Sequence, residues 1–473
     1  MNVWEVDIPV TKHNYADLVT EKQKRRIMAS RWAHRVLSNG TVSAAVMVLA
    51  AIAAVVCANT DWYFVIHEFL HSSLSFSVGE FSMSISVEAF INDFLMAIFF
   101  LLVGIELKYE VTVGELRRPK QAMLPMLAAV GGVVVPACIY GVLNRGGAIH
   151  GWAIPMATDI AFALGVLSLL GNKVPNSIKV FFTTLAIADD LLAIAAIALF
   201  YGQAPSMFWL ACSAVTVVVL IVLNRRQVFN LRPYLAVGLL LWFFMFQSGI
   251  HATLAGVILA FCIPARTDIR TDSLVDWMYD RLPDIADRYD DEKHILGQHD
   301  FTAAVNNFER VAHRVTPPLQ RLENKISLPV NYLILPIFAF ANAQVRLVGA
   351  DMSALMVDPV TLGTYFGMVL GKPLGIFGVT YLLVKVGLAD LPRNVNWHHI
   401  AGVGILGGIG FTMSILIAGL AFPAVPAEQL ASKTAILAAS VSAAVIGVVY
   451  MNHACKNRDS SGESHVSEAA PVK

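Results

Sequence analysis

Residues 176–200 read Asn176-Ser-Ile-Lys-Val-Phe-Phe-Thr-Thr-Leu-Ala-Ile-Ala-Asp-Asp-Leu-Leu-Ala-Ile-Ala-Ala-Ile-Ala-Leu-Phe200. From Val180 to Phe200 only Thr183, Thr184, Asp189 and Asp190 are not apolar. A run of that length and apolarity predicts a membrane-spanning helix. Each carboxylate near the centre costs roughly 2.5–3.5 kcal/mol on insertion scales, a burden with no packing benefit. Such residues face water-filled cavities and mark ion or proton paths. A structural ion pair is the plainer reading, but it does not require two acids side by side. Neighbours on a helix point about 100° apart, so the two acids need not share a role.

The rest of the chain agrees with a membrane setting. Of 473 residues, 56% are hydrophobic and 14% charged, whereas soluble domains are about a quarter charged. The fold class expected is an all-α polytopic membrane protein. The net charge of zero gives no reason to expect nucleic-acid binding. Cys57, Cys138, Cys212 and Cys262 lie in apolar runs and Cys455 near the end, with no CxxC, so they read as small buried residues. No secretory signal is evident, because the first forty residues are polar and basic.

Twelve spans are expected, near 41–59, 90–107, 121–143, 153–170, 177–200, 206–223, 233–248, 250–264, 328–345, 359–385, 398–421 and 430–451. They group as spans one to eight within 41–264 and nine to twelve within 328–451, between tails over 1–40 and 452–473. Lys and Arg alternate between connecting segments. The 60–89 segment has none, 144–152 has only Arg145, and nine lie between Arg266 and Lys325. The positive-inside rule then places both termini in the cytoplasm. One lysine, Lys372, is left inside a span.

Two segments outside the spans stand out. Residues 74–88 alternate apolar and polar around Gly79-Glu80, which predicts an outer β-hairpin. An isolated hairpin is marginally stable, so it is expected to pair, for instance with a second copy. Residues 265–327 form a long mixed-charge cytoplasmic segment with helical stretches such as 301–314. A structureless loop that long would be unusual.

Spans four and eleven look broken. Span four carries Pro155, Thr158 and Asp159, and span eleven carries Gly402, Gly404, Gly407, Gly408 and Gly410 before Phe411-Thr412-Met413-Ser414. Each is the middle member of a three-span group, 121–200 and 359–451, and the charge alternation makes the groups inverted repeats. Interrupted helices at matching places in inverted halves point to a transporter's binding site. Asp159 and Lys372 are an acid and a base that could balance the dipole ends so exposed.

Six runs resemble the NhaA-type sodium/proton antiporter family: 151–167, Leu185-Ala-Ile-Ala-Asp-Asp-Leu191, Ser248-Gly-Ile-His-Ala-Thr-Leu-Ala-Gly256, Leu335-Pro-Ile-Phe-Ala-Phe-Ala-Asn-Ala343, Gly371-Lys-Pro-Leu-Gly-Ile376 and Gly410-Phe-Thr-Met-Ser414. The inverted-repeat rule was drawn in part from this family, so agreement with it carries no independent weight. The resemblance implies an electrogenic exchanger of cytoplasmic Na⁺ or Li⁺ for external protons in a bacterial inner membrane. It implies that Asp190 is the main ion-binding and proton-carrying acid, that Asp189 pairs with Lys372, and that Thr158 and Asp159 lie near the site. Glu106, Glu110 and His251 match residues linked to pH response, as does Glu323, while Asp93 matches an acid at the outer end of span two. The hairpin looks like the family's dimerisation element, which implies a homodimer in the lipid bilayer. Asn324 and Leu328 stand where the best-known member has histidines after the acid matching Glu323.

The chemistry fits a hard cation, which prefers oxygen donors. Asp190, Asp189 and Thr158 supply oxygens for Na⁺ with no cofactor. Burial disfavours a charged carboxylate, so protons and Na⁺ would compete for one site and exchange would be coupled.

Rival readings remain. A sodium-coupled symporter of an organic solute on the same fold would need a cavity for a larger solute. His67-Glu-Phe-Leu-His71 fits HExxH, the pattern of a zinc metalloprotease with Glu68 as base. Such a site needs a third ligand, for which Glu80 and Glu88 are the candidates. An intramembrane aspartyl protease would need acids converging from different helices, and a channel would not need an alternating-access repeat pair.

Overall fold

A computed structural model describes residues 40–462 apart from 79–80, 118, 203–204, 268, 270, 393–394 and 424, with Gln23 and Leu37 as isolated positions. The hairpin's Gly79-Glu80 turn, nearly all of the basic tail and residues 463–473 lie outside the described residues.

The chain is helical, with one two-stranded sheet among the described residues. Helix α1 (Gly40–Ala58) is followed by α2 (Trp62–His71), then β1 (Ser73–Val78) and β2 (Phe81–Ser86). The strands are antiparallel, with Ser73 opposite Ser86 and Val78 opposite Phe81. Val87 and Glu88 belong not to the hairpin but to α3 (Val87–Thr112), whose first turns widen into a π-helix at Phe90–Leu95. Next comes α4 (Pro119–Leu143).

A 3₁₀ turn at Ile149–Met156, an extended stretch at 157–159 and α5 (Ile160–Leu169) form the first broken span. Then follow α6 (Asn176–Phe200), α7 (Met207–Arg225), α8 (Leu231–Ser248) and α9 (Leu254–Cys262). The long insertion is a helical hairpin, α10 (Thr271–Asp287) and α11 (His299–Val315), joined by stacking of Trp277 on Phe308 at 5.9 Å. The second half holds α12 (Pro318–Asn342), α13 (Pro359–Lys385), α14 (Trp397–Gly407), α15 (Phe411–Ala421) and α16 (Pro426–Gly462).

Among the described residues ten helices are long and apolar enough to cross a membrane, or eleven spans if the bent pair α14–α15 is taken as one. The expected eighth span, 250–264, is instead α9, a helix of 9 residues. At 1.5 Å per residue it covers about 14 Å, half the hydrocarbon thickness. Gly249, at φ 81°, and the irregular residues after it use up the rest of that apolar run. The expected ninth span begins ten residues early, at Pro318, so Glu323 lies inside α12 rather than in the loop.

Close packing fixes the frame around the site. Gly131 on α4 and Gly375 on α13 face each other, and a Cβ on either would fall on the other's carbonyl. Without side chains there, the two backbones touch. One turn before Gly375, α13 widens into a π-turn at Gly367–Gly371. Pro373 cannot donate to the preceding turn, and the wider turn absorbs that loss. Lys372 therefore leaves α13 against Gly132 of α4 and is fully buried.

Candidate ion-binding site

The two broken spans cross at their breaks. The amide of Asp159 donates to the Ile409 carbonyl at 2.7 Å, and the Thr158 hydroxyl donates to the Gly407 carbonyl at 2.8 Å. Each interruption thus satisfies backbone groups freed by the other, which is how irregular backbone survives at membrane depth. Asp159 also accepts from Phe162 N at 3.0 Å with Oδ1, and from Thr412 N at 3.1 Å and Thr412 Oγ1 at 2.7 Å with Oδ2. One carboxylate caps the N-termini of both α5 and α15, two positive dipole ends.

The adjacent acids of α6 part company. Lys372 Nζ donates to Asp189 Oδ2 at 2.5 Å, with both side chains at 0% exposure. Thr158 lies alongside Asp189. Asp190 turns instead to the wall of a cavity of about 300 Å³, which Asp189 does not line. Its Oδ1 is buried and has no hydrogen-bond partner among the described residues. The charged groups around Asp190 are Asp189, Asp159, Lys372 and Glu106.

Glu106, Glu110 and Glu323 line the same cavity, with Tyr109 and Asn331. Glu106 is within electrostatic reach of the other two glutamates. Gly40 and Ser43, at the start of α1, complete this end, so the cavity opens at the end of the bundle away from the hairpin. A negatively lined cleft with low-dielectric walls concentrates cations. Thr412 and Met413 also line the wall beside Asp190, and no site role for either followed from the sequence. Their signal was position: they open the helix that follows the glycine cluster.

His251 is not part of this cluster. It stands before α9, at the end remote from Lys108, whose ammonium donates to the Phe261 and Ile263 carbonyls at 2.8 and 2.5 Å. Asp93 lies in the π-turn of α3 and does not line the cavity. The HExxH residues lie on α2, near the hairpin. His67 and His71 stack at 4.0 Å, and His71 Nε2 is 3.5 Å from Glu88 Oε2. Among the described residues no three His, Cys, Asp or Glu converge as a metal site would require, and Glu80 lies outside them.

A family model described as Na⁺/H⁺ antiporter 1 matches residues 34–451. A protein of Oleidesulfovibrio alaskensis named Na(+)/H(+) antiporter NhaA is 42% identical over 418 residues, covering 88% of this chain and 92% of the relative. One of that name from Helicobacter pylori J99 is 43% identical over 410 residues, covering 85% and 91%. A third, from Sulfurimonas denitrificans, is 40% identical over 421 residues, covering 88% and 94%. A match over most of the chain, with relatives of matching length, gives the conclusion: this multi-pass membrane protein belongs to the Na⁺/H⁺ antiporter 1 family.

Proposed function

We propose that the protein is an electrogenic, secondary active antiporter that exports cytoplasmic Na⁺ or Li⁺ in exchange for external protons. The observation that carries the site is Asp190. It lies on the wall of an acid-lined cavity with a carboxylate oxygen unpartnered, one residue from an acid sealed against Lys372.

A partly dehydrated Na⁺ would take oxygens from Asp190, from Thr158 and from Asp189 once its lysine lets go. A proton on Asp190 removes the charge that Na⁺ needs, so the two ions exclude each other. Lys372 is the counter-charge of the empty site. When Na⁺ arrives, the Asp189–Lys372 pair opens and a proton leaves. The crossed breaks hold Asp159 as a fixed charge on two helix ends, so the backbone can move about the site while its freed groups stay satisfied. The transported ions are the substrates, and the residues named require no resident cofactor.

In this reading both termini are cytoplasmic in a bacterial inner membrane, Glu106, Glu110 and Glu323 stand at the cytoplasmic mouth, and the hairpin joins two copies outside. With His251 they are the groups for a pH response. The test is exchange in proteoliposomes. Na⁺ should collapse an imposed proton gradient with the wild type and fail to do so with Asp190→Ala. Full exchange by that variant would overturn the assignment.

A further inference from the structure

A second cavity, of about 640 Å³, lies at the hairpin end of the bundle. Its wall includes Tyr63 and His71 of α2, Glu88 of α3, Gln344 and Arg346 after α12, and Lys433 of α16. Three donors face it, with a single carboxylate, Glu88, among the described residues of its wall; Glu88 lies within electrostatic reach of Lys433. Lys433 makes no hydrogen bond or ion pair among the described residues. The Gln344 Nε2 is buried and has no hydrogen-bond partner among the described residues. The Arg346 guanidinium lies over two ring faces, 4.7 Å from the centroid of Tyr63 and 5.2 Å from that of Phe64. Glu88 Oε2 is also 3.5 Å from His71 Nε2. Two cationic side chains and a buried amide donor on one space outnumber the single carboxylate there, and a cation-exporting pathway has no use for that excess. An oxyanion does, since it accepts charge-assisted hydrogen bonds from all three.

The surroundings narrow the ligand. Trp62, Val65 and Phe69 share the opposite face of α2 at helical spacing, and all are exposed. An amphipathic helix with aromatics on its outer face sits at the level of lipid headgroups. Its inner face then opens the cavity to the headgroup layer.

We propose that this cavity is a phosphate-binding site, filled by the headgroup of an anionic phospholipid. Arg346, Lys433 and Gln344 hold the phosphate oxygens, and Tyr63 fixes the guanidinium by its ring face. The bound phosphate ties the chain after α12 to the start of α16. It therefore favours the arrangement seen here over any in which those two segments separate.

Purified full-length protein tests this in two arms. In native mass spectrometry the wild type should retain phosphatidylglycerol over phosphatidylcholine. Lys433→Gln and Arg346→Gln should each retain it about tenfold less well, the loss expected for one charge-assisted hydrogen bond. In the second arm, inorganic phosphate should raise the unfolding temperature of the wild type relative to chloride at equal ionic strength, and fail to do so in the variants. A response to lipid alone assigns the site to the membrane, and a response to phosphate alone assigns it to a soluble anion. Equal behaviour of wild type and both variants in both arms overturns the site. If Lys433→Gln does not fold, Arg346→Gln, whose side chain is exposed, carries the test.

Discussion

Lys372 Nζ lies 2.5 Å from Asp189 Oδ2, and solvent reaches neither side chain. A buried pair gains little over apolar residues of the same size, but removing one partner strands a charge, at a cost of about 3–5 kcal/mol. Lys372→Met should therefore lower the unfolding temperature sharply, and Asp189→Asn added to it should recover much of the loss. A double-mutant cycle by thermal unfolding in detergent measures this. Additive losses would mean that the two groups do not act as a pair.

Competition at Asp190 has a pH signature. If a proton and Na⁺ exclude each other on one carboxylate, the half-saturating Na⁺ concentration falls as pH rises. Each proton displaced contributes up to about tenfold per pH unit while its group is mostly protonated, so Asp190 alone gives about tenfold and a second proton from the Lys372 pair steepens it. The maximal rate at saturating Na⁺ changes far less. Dequenching of a pH-sensitive dye in vesicles gives both quantities, and a half-saturation constant that ignores pH would exclude a shared site.

Much of this was legible because membrane burial makes polar residues conspicuous. Asp189, Asp190 and Lys372 stand out in apolar runs, and Gly407, Gly408 and Gly410 mark the break between α14 and α15. Period-two alternation located the strands to within a residue or two. The short helix α9 was not legible, since the apolar run 254–263 looks the same whether it crosses the bilayer or stops half-way. Nor was the bond from Thr412 to Asp159, which joins residues 253 positions apart and depends on how the two breaks cross. The separation of His251 from the three glutamates is likewise a matter of helix ends in space.

The Thr412 hydroxyl gives the Asp159 carboxylate one of the three hydrogen bonds described above, with backbone amides supplying the other two. Thr412→Val keeps the shape and removes that donor. The cost should be about 1–3 kcal/mol, and exchange should slow while the cavity persists. Thr412→Ser should restore both stability and rate. A valine variant as stable and as fast as the wild type would show that the two backbone donors suffice.

Gly375 and Gly378 lie on the same helix and make a matched pair. A Cβ at Gly375 meets the Gly131 backbone, whereas one at Gly378 meets nothing within 4 Å. Gly375→Ala must push α4 and α13 apart, at a typical overpacking cost of about 1–3 kcal/mol or more, because backbone yields less than a side chain. It also shifts Lys372, one turn away, from Asp189. Gly378→Ala should leave stability unchanged or slightly raised, since alanine is the better helix former. Equal unfolding temperatures for the two variants would mean that the helices do not approach as closely as Gly131 and Gly375 imply.

Glu106, Glu110 and Glu323 line the cavity that reaches Asp190. Their contribution is the field, which raises the local concentration of cations and is screened by salt. Glu323→Gln should raise the half-saturating Na⁺ concentration several-fold at low ionic strength and leave the maximal rate nearly unchanged. Added choline chloride should narrow the gap between variant and wild type, because screening removes what the mutation removes. A loss of maximal rate that salt does not alter would instead make Glu323 part of the ion's path, in contact with it during transport.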